Sequence, residues 1–188
     1  MAQQDLLTYT IRILDGAGID YMVTGSIVSS LQGEPRSTHD VDVIVAIQSQ
    51  HVGAILNAFA RPRFYVDEGA IREAMRMGGT FNVLDTHEGD KIDFWMLTDS
   101  EFDQSRFNRR YAEDVFGVRM KVSSPEDTIL AKLSWAKLSG GGERYIRDAL
   151  GVYQVQEPSL DPHYLDEWAH RLSIDNLLAR VRAEASQS

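Results

Sequence analysis

The chain has no cysteine among its 188 residues. Disulfides and thiolate zinc sites are thereby excluded, and the composition fits a reducing, cytoplasmic setting. Long apolar runs are absent too. No stretch approaches the ~20 residues of a membrane span, and the polar N-terminus lacks a signal-peptide core, so no membrane partner is expected. Positive charge is in short supply, with Lys and Arg totalling 19 against 28 Asp and Glu, a net charge of −9. A chain this acidic is not a general nucleic-acid binder, and an RNA partner would have to meet a local basic patch. No internal repeat or low-complexity stretch stands out. The length suits one domain, or one with a small appendage, and is enough to bury roughly 70% of the unfolded surface.

What is present centres on one stretch. An apolar run, Tyr21-Met22-Val23-Thr24, ends at Gly25-Ser26, and a helical segment follows over Ile27 to Gln32. Then come Arg36, Thr38 and a strand from about Asp40 to Ile47 that opens with two aspartates. Strand side chains alternate, so Asp40 and Asp42 share a face, with Cα atoms roughly 6–7 Å apart. Two carboxylates at that spacing suit a hard cation such as Mg²⁺, which takes one or two carboxylates plus substrate phosphates. Gly25-Ser26 at a strand-to-helix turn offers free N–H groups to a phosphate.

A third acid lies in Lys91-Ile92-Asp93-Phe94-Trp95-Met96-Leu97, which reads as another strand. If the two strands are neighbours, Asp93 joins the cluster across about 4.8 Å. Three such carboxylates repel unless cations hold them. Taken singly, an Asp-x-Asp is more often a solvated strand end and a Gly-Ser turn is common; the ordered set is what carries specificity.

Around this stretch, an amphipathic helix is expected over Asp5 to Gly16, and others over Val52 to Phe59 and Glu68 to Arg76. Phe64 to Val66 reads as a short strand. Hairpins are expected from Thr80–Leu84 with Lys91–Leu97, and from Arg109–Val115 with Val118–Val122. After Val122 the pattern turns helical. Ser124-Pro125-Glu126-Asp127 is a strong helix start, with a serine cap, proline in the first turn and acids complementing the dipole. That helix stops at Gly140-Gly141-Gly142; further helices span Glu143 to about Gln156, His163 to Arg171 and Ile174 to Ala183. The fold class is therefore α/β (α+β): a mixed sheet with flanking helices over residues 1–122, then a C-terminal helical bundle over 123–188.

Two polar residues of the bundle stand out. Lys132 flanks the apolar stripe Ile129, Leu130, Leu133 and Ala136, where a lysine either snorkels to solvent or directs its ammonium into a cleft; Lys137 is a rival. Asp148 either pairs with Arg144 at i−4 or forms a polar pair with Lys132 that faces the metal site. Arg106, Arg109, Arg110, Arg119 and Lys121 concentrate positive charge, as a solvated face or as a contact for an RNA backbone or triphosphate.

Gly25-Ser26, the following helix, His39-Asp40-Val41-Asp42-Val43 and Ile92-Asp93-Phe94 together resemble the nucleotidyltransferase superfamily, with its polymerase-beta-like fold. Gly33-Glu34-Pro35-Arg36-Ser37-Thr38, Ser124 to Leu133 and Arg147-Asp148 are similar to the AbiEii-like branch, which includes toxins of toxin–antitoxin and phage-defence systems. The resemblance implies transfer of an NMP from an NTP such as ATP to a hydroxyl acceptor, which in the superfamily is tRNA, protein or a small molecule. It implies Mg²⁺ or Mn²⁺ on Asp40, Asp42 and Asp93. It gives Asp93 the acceptor hydroxyl, and has Gly25, Ser26, Arg36, Thr38 and Lys132 bind nucleotide. Lys132 and Asp148 would complete the active site in a cleft between the halves, and an antitoxin would be a protein partner. Many relatives carry a second aspartate where this chain has Gly151.

Overall fold

A computed structural model describes residues 3–36 and 40–187. It divides into two compact units. One comprises Met1–Thr24 and Thr38–Val122, the other Gly25–Ser37 and Ser123–Ser188.

The first unit is built on a seven-stranded sheet. Its strands are β1 (Tyr21–Thr24), β2 (Asp40–Val45), β3 (Phe64–Tyr65), β4 (Thr80–Asp85), β5 (Lys91–Met96), β6 (Tyr111–Val115) and β7 (Val118–Val122). Their order is β3-β4-β5-β2-β1-β7-β6. Helices α1 (Gln3–Gly16), α3 (Val52–Ala58), α4 (Glu68–Met77) and α5 (Glu101–Arg109) complete this unit, and α2 (Gly25–Gln32) belongs to the other.

The sheet is mixed. β4 pairs β5 antiparallel, as a hairpin must, and β1 pairs β2 antiparallel. The central pair, β2 and β5, is parallel, with Asp40 opposite Lys91 and Asp42 opposite Asp93. The chain leaves β2 and reaches β5 through α3, β3, α4 and β4, which gives it the long crossover that a parallel pair needs. In β2, Val41, Val43, Ile44 and Val45 are buried while Asp40 is exposed and Asp42 half-buried. The alternation thus turns both acids to one face at the open end of the strand. Beneath lies an aromatic core in which Phe81 stacks on Phe94 at 4.9 Å and Phe59 meets Phe64 edge-on at 5.3 Å.

α5 is the element that sequence analysis left unassigned. Ser100 caps it by accepting from the Asp103 N–H, and Phe107 anchors it against Met22 and Ile44.

The helical unit contains α2, α6 (Pro125–Leu138), α7 (Glu143–Gln156), α8 (Pro162–Arg171) and α9 (Asp175–Ala185). Ser124 caps α6 by accepting from the Asp127 N–H, and its hydroxyl donates to Asp127 Oδ2 at 2.7 Å. Two glutamine amides fix α2: Gln32 Nε2 donates to Ser123 O at 2.7 Å, and Gln156 Nε2 donates to Gln32 O at 2.9 Å. α2 is therefore tied to the start of α6 and the end of α7. α2 and α7 also approach closely at two glycines. A Cβ on Gly33 would lie 2.6 Å from backbone atoms of Gly151 and Val152, and one on Gly151 would lie 3.3 Å from Glu34 N. Gly151 admits the α2 turn against α7. Among the described residues, no helix is long and apolar enough to cross a membrane.

Candidate active site

The two units each carry a polar cluster. In the sheet unit, the β2–β5 register brings three acids onto neighbouring strands. Asp93 accepts an ion pair from Lys91 Nζ at 2.8 Å, and the same ammonium is 3.7 Å from Asp40 Oδ1. Asp42 is held separately, its Oδ1 accepting from Trp95 Nε1 at 3.2 Å. Hydrogen bonding to Asp93 is the main influence on Lys91 and outweighs desolvation, so the ammonium titrates above its ordinary value. Among the described residues, no group of three or more His, Cys, Asp or Glu side chains closes around one point as a ready-made metal cage. Two carboxylates already gathered round a cation nevertheless match the donor set of Mg²⁺, which completes its shell with water and phosphate. Sequence analysis missed Lys91 and Trp95. Lys91 is two residues from Asp93 on the same strand face, and that spacing is the signal that could have found it.

The helical unit gathers four of the expected residues at one place. Arg36 grips Asp148 with both ends of its guanidinium, Nε to Oδ1 at 2.7 Å and Nη2 to Oδ2 at 2.8 Å. Lys132 Nζ donates to Asp148 Oδ2 at 2.7 Å. Ser26 Oγ accepts from Arg36 Nη2 at 2.6 Å and from Lys132 Nζ at 3.2 Å. The bidentate arginine supplies orientation as well as charge. Lys132 and Asp148 are almost fully enclosed, with 6% and 5% of their side chains exposed, while Arg36 keeps 31%. Burial opposes ionisation of Asp148 most strongly. The hydrogen bonds from Arg36 and then Lys132 overcome it, and the carboxyl titrates below its ordinary 3.8.

Lys132 does not snorkel to water but is buried against Asp148; Lys137 instead donates to Leu172 O at 3.0 Å. Asp148 is engaged by Arg36 and Lys132, whereas Arg144 lies over the Tyr145 ring at 5.1 Å. Arg36, expected to bind nucleotide, is a member of the cluster. Gly25 has a φ of 73°, the left-handed region that glycine favours, which lets the chain turn from β1 straight into α2. Thr38 and His39 lie outside the described residues.

Four residues of the basic run are engaged by aspartates. Arg106 pairs with Asp103, Arg119 with Asp114, and both Arg110 and Lys121 with Asp20. His87 is in the loop between β4 and β5, and His163 and His170 lie on α8.

No family model and no curated protein matches the sequence. Among solved structures the chain is similar to ANT(2″)-Ia in complex with adenylyl-2″-tobramycin, at 13% identity and a TM-score of 0.60, covering 98% of this chain and 99% of that one. It is similar to an antigenic nucleotidyltransferase-like protein from Paracoccidioides brasiliensis, at 13% identity and TM-score 0.54, covering 96% and 92%. It is also similar to the lincomycin-bound lincosamide antibiotic adenylyltransferase LnuA, at 10% identity and TM-score 0.51, covering 81% and 98%. At these identities the likeness is one of fold alone.

Proposed function

We propose that the protein is a metal-dependent nucleotidyltransferase that moves an NMP from an NTP to a hydroxyl group of an acceptor. The observation that carries this reading is the β2–β5 register, which sets Asp42 beside Asp93 and leaves Asp40 and Asp93 facing one cation. Asp40, Asp42 and Asp93 would hold Mg²⁺ or Mn²⁺, which supplies positive charge to the triphosphate as pyrophosphate leaves.

The chain's own groups account for the remaining roles. Asp93 accepts the proton of the acceptor hydroxyl. The freed oxygen attacks the α-phosphorus, the bond to the bridging oxygen breaks, and pyrophosphate departs with that oxygen. Ser26 has both lone pairs engaged by Arg36 and Lys132, so its O–H is left to donate, which suits a phosphate oxygen. Arg36 and Lys132 bring two basic side chains together beside Ser26, an arrangement that suits an anionic ligand. Asp148 positions Lys132 and Arg36 rather than reacting. Gly25 and the start of α2 add backbone N–H groups, and Thr38 is the remaining candidate for nucleotide contact.

For the acceptor, the net charge of −9 and the pairing of Arg106, Arg110, Arg119 and Lys121 with aspartates favour a small hydroxylated molecule over extended RNA. The solved ANT(2″)-Ia and LnuA structures, which carry an adenylylated or bound antibiotic, are consistent with that size of acceptor. The resemblance to the AbiEii-like branch adds a toxin–antitoxin or phage-defence setting, with an antitoxin as protein partner.

A second reading, motivated by Gly151, is a non-catalytic nucleotide-binding module on the same fold; a partner-binding module, with the helical bundle as its surface, is a separate alternative. The glycine is explained by the close approach of Glu34, so it gives no independent sign of lost turnover. The two readings separate on one experiment. Each radiolabelled NTP is incubated with the protein and fractionated cell extract, and label transfer and pyrophosphate release are followed. The enzyme reading expects both, with loss in Asp42→Ala. Binding of nucleotide without pyrophosphate release from any fraction would favour the module.

A further inference from the structure

We propose that Lys91 is a resident counter-cation of the acidic face, whose ammonium must leave the space between Asp40 and Asp93 before a divalent ion settles there. This rests on the metal-dependent reading above and concerns how that same site is kept and released.

Geometry carries the argument. Lys91 is the first residue of β5 and sits opposite Asp40 in the parallel register. Two residues on, Asp93 projects from the same strand face. The lysine therefore has one carboxylate along its own strand and one across the ladder, and its Nζ is 2.8 Å from the first and 3.7 Å from the second. A divalent ion bound by Asp40 and Asp93 would claim the same oxygens. Ammonium and metal cannot both lie within ligating distance without strong mutual repulsion.

The lysine is also placed to withdraw. Its side chain is 36% exposed, it follows the polar Thr86–Asp90 loop, and its four-carbon stem is flexible. With Lys91 in place the repulsion between the carboxylates is partly offset without metal. The consequence is a threshold: metal alone competes with an ammonium that is always at full local concentration. Removing one positive charge about 4 Å from a divalent ion changes affinity on the order of tenfold or more, even with the screening of water.

The test is Mn²⁺ binding without nucleotide, read from the electron paramagnetic resonance signal of free Mn²⁺. It compares wild type with Lys91→Met, Lys91→Gln, Lys91→Arg and Asp40→Asn, each shown to be folded by circular dichroism. The proposal expects binding about tenfold tighter in both neutral variants, wild-type affinity in Lys91→Arg, and weaker binding in Asp40→Asn. Unchanged or weaker binding in both neutral variants, with Asp40→Asn still weakened, would overturn the role of Lys91 and leave the metal site standing. Mn²⁺ binding that is absent throughout, or indifferent to Asp40→Asn, would remove the metal site and this inference together.

Discussion

Replacing Asp148 with asparagine keeps the size of the side chain and removes its charge. Lys132, with only 6% of its side chain exposed, then has no anion at 2.7 Å. Arg36 is less affected, because 31% of its side chain already faces solvent and it can turn outward. Removing one partner of a buried pair costs about 3–5 kcal/mol, since the other charge stays enclosed. We expect the low end, about 3 kcal/mol, because Ser26 Oγ still accepts from Lys132. For a chain of this length that is a fall of roughly 6–12 °C in thermal midpoint. Urea unfolding followed by circular dichroism measures it, and a double-mutant cycle identifies the cause. Lys132→Met in the Asp148→Asn background should recover at least about 2 kcal/mol of the loss, because the orphaned ammonium is gone. A cost under about 1 kcal/mol, or a double variant as unstable as the sum of the single ones, would refute the picture of a tightly coupled buried pair.

The pH dependence follows from the same group. Asp148 titrates below its ordinary 3.8, so its stabilisation is complete above that value and fades as pH falls through the lower folded value. The stability gap between wild type and Asp148→Asn should stay constant from about pH 5 to 7 and close only below 3.8, as acid unfolding curves would record. Gly33→Ala places a Cβ 2.6 Å from the Gly151 carbonyl carbon and should cost about 1–3 kcal/mol, measured by the shift in urea midpoint; a neutral effect would mean that the α2–α7 approach is not close. Lys132→Met should weaken nucleotide binding in calorimetry by about tenfold or more, whereas Lys137→Met, which loses only a contact to the Leu172 carbonyl, should leave it within about twofold. Trp95→Phe removes the indole donor to Asp42 at 3.2 Å and should lower turnover by several-fold without unfolding the chain; full retention of rate would show that Asp42 needs no such orientation.

Local signals in the sequence located most elements closely. β1 and the two hairpins are marked by apolar runs with polar or glycine turns, and α6 by Ser124-Pro125 followed by acids. α5 escaped because its composition is polar and only Phe107 is buried, although Ser100-Glu101-Phe102-Asp103 is a legible cap. The shared face of Asp40 and Asp42 follows from the two-residue strand period. That β2 and β5 are neighbours, parallel and in register does not, because no local property records which distant strands pair. Lys132 and Asp148 were nominated by resemblance, and helix periodicity alone left Lys137 and Arg144 as rivals. Arg36 lies 112 residues before Asp148 and meets it only in the folded chain, so no local pattern links the two. Gly151 is similarly a packing position whose reason, the backbone of the α2 turn, is remote in sequence.

Release of pyrophosphate from a labelled nucleoside triphosphate, in the presence of Mg²⁺ and fractionated cell extract, is to be compared between wild type, Asp40→Ala and Asp93→Asn. The predicted result is turnover in the wild type that falls by about a hundredfold or more in both variants, with nucleotide still bound through Lys132 and Arg36. Equal rates in all three proteins would contradict it.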